Sequence, residues 1–177
     1  MINADGTGRR CVGVSSATDS TPAWSSDGQW IAFQSNRMDS ANTNDFEIWI
    51  TRADGSGIAR RLTTDPSQDF GPMFAYGPSN RIVWHNAEVG GGANSFELLA
   101  GRVNFSTGEL VPGSVTVIVS RPGVPDANGS FSPDSDQDVV FGSCPDGEDG
   151  QSDIFILING NLRNLTNHLA EDTNPSW

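Results

Sequence analysis

The sequence predicts an all-β protein made of repeated four-stranded sheets, and three observations carry that expectation. Glycine and proline are abundant, at 20 and 10 of 177 residues, and no amphipathic stretch of helical period exceeds about two turns. Short apolar runs of β-branched and aromatic residues alternate with polar turns, which is the pattern of strands. One phrase also recurs at a fixed register. Asp19, Asp69, Asp126 and Asp172 each stand five positions before an aromatic residue, Trp24, Phe74, Phe131 and Trp177. Seven positions before each Asp comes an aliphatic-small pair: Val12-Gly13, Leu62-Thr63, Val119-Ser120 and Leu165-Thr166. Four strands in a unit of about 40 to 50 residues is the spacing of a β-propeller blade. A β-sandwich also has short strands and turns, but nothing in its architecture requires one phrase to return at one register.

In chain order, residues 1–18 hold a D-G turn and an aliphatic run, and are expected to supply the outer strands of an interrupted blade. Residues 19–68 form a full unit: the marker phrase, an SSDG turn, the run Ile31-Ala32-Phe33, the run FEIWI at 46–50, and a closing segment through Leu62. Residues 69–125 repeat this in degenerate form, with GPSN at the turn, Ile82-Val83-Trp84, SFELLA at 95–100, and an insertion across AEVGGGANS. Residues 126–171 repeat it again with PDSD, Val139-Val140-Phe141 and DIFILI at 153–158. Residues 172–177 begin a further inner strand.

The stretch DSTPAWSSDGQWIAFQSNR followed by EIWITRADGSGIARRLTTD closely resembles the TolB-type propeller repeat. The units at 69–125 and 126–171 resemble it with the departures just given. The resemblance implies that the first strand of each unit lies innermost, beside a central channel. It implies a six-bladed ring of about twice this length, so that three complete blades are either part of a longer polypeptide or half of a dimer closed by two copies. It further implies a periplasmic or extracellular setting and a scaffold that binds protein or peptide partners without catalysis. A propeller of this type also occurs beside the catalytic domain of prolyl-oligopeptidase-type peptidases, which leaves that reading open.

The formal charge is −12, arising from 22 acidic residues against 10 arginines and no lysine. With no basic cluster, nucleic acid and anionic membrane surfaces are poor partners. Asp outnumbers Glu 16 to 6, in keeping with aspartate's use in turns. No run of about 18 apolar residues encodes a membrane helix, and the first twenty residues lack signal-peptide order. Cys11 and Cys144 form no redox or zinc motif; two thiols and one long-range bridge both remain open.

Several groups are candidate sites. Placed by the resemblance at one mouth of the channel, Asp19, Asp69, Asp126 and Asp172 either bind a cation or the basic end of a partner, or fix the entry to each inner strand by accepting local hydrogen bonds. Asp146, Glu148, Asp149 and Asp153 in one acidic loop offer hard oxygens for a calcium ion, against the simpler reading of a solvated loop; no other cofactor is expected. Asp134, Asp136 and Asp138 lack the Gly and acidic positions of a calcium loop and read as a hairpin turn. His85 and His168 have no Cys or second His at ligand spacing. No G-x-S-x-G elbow is present. Trp24 and Trp84 align with Phe elsewhere in the repeat and are expected to pack between blades. Trp30 and Trp49 break the alternation, and either would be a ligand contact if solvent-facing. A glycan ligand is the remaining alternative.

Overall fold

The structure is a computed structural model that describes residues 1–38, 45–87, 95–144, 152–167 and 170–177. These residues contain strands and turns and no helix, hence no helix long and apolar enough to cross a membrane. Three antiparallel sheets follow one another along the chain. The first blade holds β1 (Asp19–Trp24), β2 (Trp30–Ser35), β3 (Glu47–Arg52) and β4 (Arg60–Arg61). The second holds β5 (Asp69–Phe74), β6 (Arg81–Ala87), β7 (Phe96–Asn104), β8 (Glu109–Leu110) and β9 (Thr116–Val119). Its outer edge is divided, because β8 and β9 both pair with β7 on either side of the Pro112-Gly113 turn. The third holds β10 (Asp126–Ser132), β11 (Ser135–Ser143), β12 (Asp153–Ile158) and β13 (Asn161–Asn164). Strands in the first and third sheets run in sequence order from inner to outer edge.

Packing between sheets follows from strand alternation, since successive side chains point to opposite faces. Ala32, Ile48 and Ile50 of the first blade form one cluster with Phe74, Ile82 and Trp84 of the second. The opposite face of the second blade, with Val83, Leu98 and Ala100, joins Phe131, Val139, Phe141 and Phe155 of the third. The marker aromatic of each blade thus packs against the blade before it. Phe74 and Phe131 are buried this way. Trp24, expected to be buried alike, is instead 52% exposed. Trp84 is buried as expected. Trp30 and Trp49 are also buried: both faces of the first sheet are covered, so alternation in polarity is lost while the strand geometry remains.

Residues 1–18 form no strand. Met1 and Arg10 exchange backbone hydrogen bonds at 2.7 and 2.9 Å, closing a turn. The following residues lie on the outer face of the first blade, where Arg37 donates to Gly13 O at 2.9 Å and stacks over the Phe33 and Trp49 rings. At the other end residues 172–177 also carry no strand, and Trp177 Nε1 donates to Ser130 O at 3.1 Å beside the third inner strand. Cys11 and Cys144 are free thiols.

Candidate functional site at the axial groove

The inner strands β1, β5 and β10 each begin at the repeated Asp and each carry a bulge two residues later. Pairing with the second strand shifts between Ser20 and Ala23, between Phe70 and Met73, and between Ala127 and Ser130. The residue at the kink has positive φ in all four copies of the phrase: Thr21 at 48°, Gly71 at 58°, Asn128 at 57° and Asn174 at 53°. Glycine and asparagine tolerate this region, whereas β-branched Thr21 is strained there. A proline follows in three copies, Pro22, Pro72 and Pro175, and lacks the N–H that a bulge would otherwise leave unpaired. These kinked residues meet in a groove of about 290 Å³. Its walls are hydroxyl, amide, glycine and proline groups from four equivalent positions, with Met73 as the apolar contribution.

A second regularity joins the blades. Gln34 Oε1 accepts hydrogen bonds from Thr21 Oγ and, across the blade boundary, from the Gly71 backbone N–H, both at 3.0 Å. His85 occupies the same register on β6 and its Nδ1 faces the Asn128 N–H at 3.5 Å. Burial between the Phe70 and Phe96 rings pushes the His85 pKa down to about 4, so the imidazole is a neutral acceptor at pH 7. Neither Gln34 nor the bulge residues were singled out by sequence reasoning. Their signal was present as Thr, Gly or Asn at the second position after each repeated Asp.

The four sequence-expected aspartates begin the inner strands, and each is held by different groups. No hydrogen bond or ion pair among the described residues joins one to another. Asp19 accepts from Arg37 at 2.8 Å and Ser15 at 3.0 Å. Burial raises its pKa, but hydrogen bonds from Ser35, Arg37 and Ser15 outweigh that and hold it below the usual value. Asp126 is fully buried and pairs with Arg121, which also reaches Ser143. Asp172 makes a backbone contact, its N–H donating to Ser152 O at 2.6 Å.

Asp69 differs from these. It has no arginine: Oδ1 accepts from Trp84 Nε1 at 2.9 Å and Asn86 Nδ2 at 2.7 Å, while buried Oδ2 has no partner. Thr63 lies close by, but its one hydroxyl proton goes to Glu47 Oε2 at 2.6 Å and its oxygen accepts the Ile48 N–H at 2.9 Å. Desolvation, with Asp65 and Glu47 nearby, pushes the Asp69 pKa up to about 7. Burial raises Glu47 as well, in spite of its hydrogen bond from Thr63 and its ion pair with Arg61.

Asp146, Glu148, Asp149 and His168 lie outside the described residues. Asp153 accepts from Asn164 Nδ2 at 2.6 Å and Thr166 Oγ at 3.3 Å, which ties β12 to the outer edge. Asp134 to Asp138 form the tight β10–β11 turn and its flank, where Asp138 Oδ1 accepts the Asn159 N–H at 2.9 Å.

Three successive antiparallel sheets, packed face to face about kinked inner strands, define a segment of β-propeller. Neither a family model nor a curated protein sequence matches the chain, but solved propellers match its fold. A protein assigned as TolB from Agrobacterium tumefaciens superposes with a TM-score of 0.61 at 21% identity, over 83% of this chain and 48% of that one. TolB from Acinetobacter baumannii gives 0.63 at 19% identity, over 86% and 33%. A puromycin-hydrolyzing peptidase from Mycobacterium tuberculosis gives 0.64 at 13% identity, over 86% and 22%. The chain therefore has the TolB-type propeller fold and spans less than half the length of each of these proteins.

Proposed function

We propose that the chain is a non-catalytic propeller scaffold that binds a protein or peptide at the axial groove. The observation supporting this is the convergence of four equivalent bulges on one cavity whose walls carry hydrogen-bonding and apolar groups but no titratable side chain. Such a surface suits an extended backbone, which brings its own donors and acceptors. Peptides selected by display against the protein should lose binding when Met73→Arg, at a 38% exposed position on the groove wall, crowds the groove, and should keep it when exposed Arg163 becomes Gln. Peptides that bind the Met73→Arg protein as tightly as the original would refute the groove as the site.

The fold match to the peptidase favours a second reading, in which this segment belongs to a propeller that gates a serine peptidase lying elsewhere in the polypeptide. Coding sequence for a G-x-S-x-G elbow after Trp177 would establish it. The resemblance to TolB also supports an envelope location. Self-association rests on the exposed Trp24 flank and is read by light scattering: a species of twice the chain mass is expected, and a monomer alone would refute it. A calcium site at the acidic loop, or a glycan site, would show as heat on titration with calcium or a glycan panel.

A further inference from the structure

A polar cleft of about 510 Å³ lies away from the axial groove, between the β3–β4 connection of the first blade and the β7–β8 turn of the second. Its floor is Trp30. The indole Nε1 donates to Phe105 O at 3.0 Å, and the Arg52 guanidinium sits 4.0 Å over the ring. Gly108, at φ +72°, rests against the same ring so closely that an added Cβ would lie 2.5 Å from it. Arg60 stands on the wall, its Nη1 donating to Thr107 O at 3.0 Å and facing Glu109 Oε1 at 3.5 Å. Arg52 Nη1 is engaged by Gln29 Oε1 at 3.1 Å. Nε and Nη2 of both arginines have no acceptor among the described residues. Arg52 and Arg60 line the cleft with Glu109, itself 65% exposed, as the one carboxylate on its wall, while Asp54 in the adjoining turn feels the Arg52 charge.

Guanidinium groups fixed by stacking and by a backbone bond are already ordered, so little side-chain entropy is lost when they take a carboxylate in a fork. The cavity is of the size that holds a small ligand, and Ser56, Ser106 and Thr107 supply hydroxyls around it. We propose that this cleft binds a small carboxylate-bearing ligand, with the carboxylate on Arg60 and Arg52 and the remaining polar groups on the surrounding hydroxyls. A sugar acid and an acidic dipeptide both present that chemistry.

The test is an NMR titration of the full chain, following the Trp30 indole N–H and the Arg52 and Arg60 Nε–H signals, with glucuronate, glutamyl-glutamate and neutral glucose in separate arms. Saturable shifts are expected with at least one acid and none with glucose, and the arm that saturates at lower concentration names the source. Arg60→Gln should weaken binding at least tenfold. Glu109→Gln, which removes the internal competitor for Arg60, should tighten it about threefold, a gain that a loss of folding would not produce. Absence of saturable shifts with both acids, equal shifts with glucose, or unchanged affinity in both variants would overturn the proposal.

Discussion

Asp69→Asn should stabilise the protein above neutral pH, which is unusual for a change at a fully buried carboxylate. The folded state holds the Asp69 proton up to about pH 7, against an ordinary value of 3.8. A group whose folded pKa is raised stabilises fully below its unfolded pKa and loses that contribution as pH rises through the folded pKa. A difference of about three pKa units corresponds to about 4 kcal/mol lost between pH 3.8 and 7, of which about 3 kcal/mol falls between pH 5 and 8. Geometry gives the same sign. Protonated Oδ2 can donate to the free lone pair of Thr63 Oγ, whereas ionised Oδ2 is buried with no donor. An asparagine keeps Oδ1 for Trp84 and Asn86 and offers Nδ2 to Thr63 at every pH. Thermal unfolding of both proteins at pH 5 and pH 8 should show the Asn variant ahead at pH 8 by on the order of 10 °C, with the gap shrinking markedly at pH 5. A variant less stable than the parent at pH 8, or a gap independent of pH, would refute the reasoning.

The equivalent change at the next blade should act in the opposite direction. Asp126→Asn leaves Arg121 without its buried counter-charge and should cost about 3 kcal/mol in denaturant unfolding. Gly71→Ala places a Cβ 2.8 Å from the His85 ring at a φ of +58°, and should cost about 2 kcal/mol with a weakened His85 to Asn128 contact visible by NMR. Trp24→Gln should leave the unfolding midpoint nearly unchanged, since the indole is 52% exposed, while lowering the associated fraction in light scattering.

The fold was legible because the chain repeats itself. The Asp-to-aromatic phrase marks β1, β5 and β10, and the runs at 31–33, 82–84 and 139–141 fall on β2, β6 and β11. What one register could not convey was the individual role of equivalent residues. Asp19, Asp69 and Asp126 share a position, yet their partners come from unrelated offsets: Arg37 lies eighteen residues after the first and Arg121 five before the third. Asp69 has neither, and its pKa is raised first by burial, with smaller contributions from Asp65 in the connection and Glu47 in the preceding blade. Trp24 was misjudged for a related reason. Burial of a marker aromatic depends on the blade before it, which is information the local phrase does not contain. The split outer edge of the second blade was hidden because β8 is only two residues long.

The contacts between blades also show how one missing side chain weakens a repeated joint. Gln34 and His85 each reach from the second strand of one blade to the bulge amide of the next. The register-equivalent residue on β11 is Gly142, opposite Ala127, and the fourth bulge residue, Asn174, accordingly has no such acceptor for its N–H. Residues 172–177 keep the bulge conformation, the Asp172 bond and the Trp177 bond without forming a strand. The space for an acceptor exists: a Cβ added at Gly142 meets only Ala127 O, at 3.8 Å. Gly142→Gln should therefore restore the joint and slow hydrogen exchange of the Asn174 amide about fivefold, the value of one net hydrogen bond of about 1 kcal/mol. Gly142→Leu, which adds bulk without an acceptor, should leave that amide unprotected. Equal protection in both variants would mean that packing, not the hydrogen bond, couples one blade to the next.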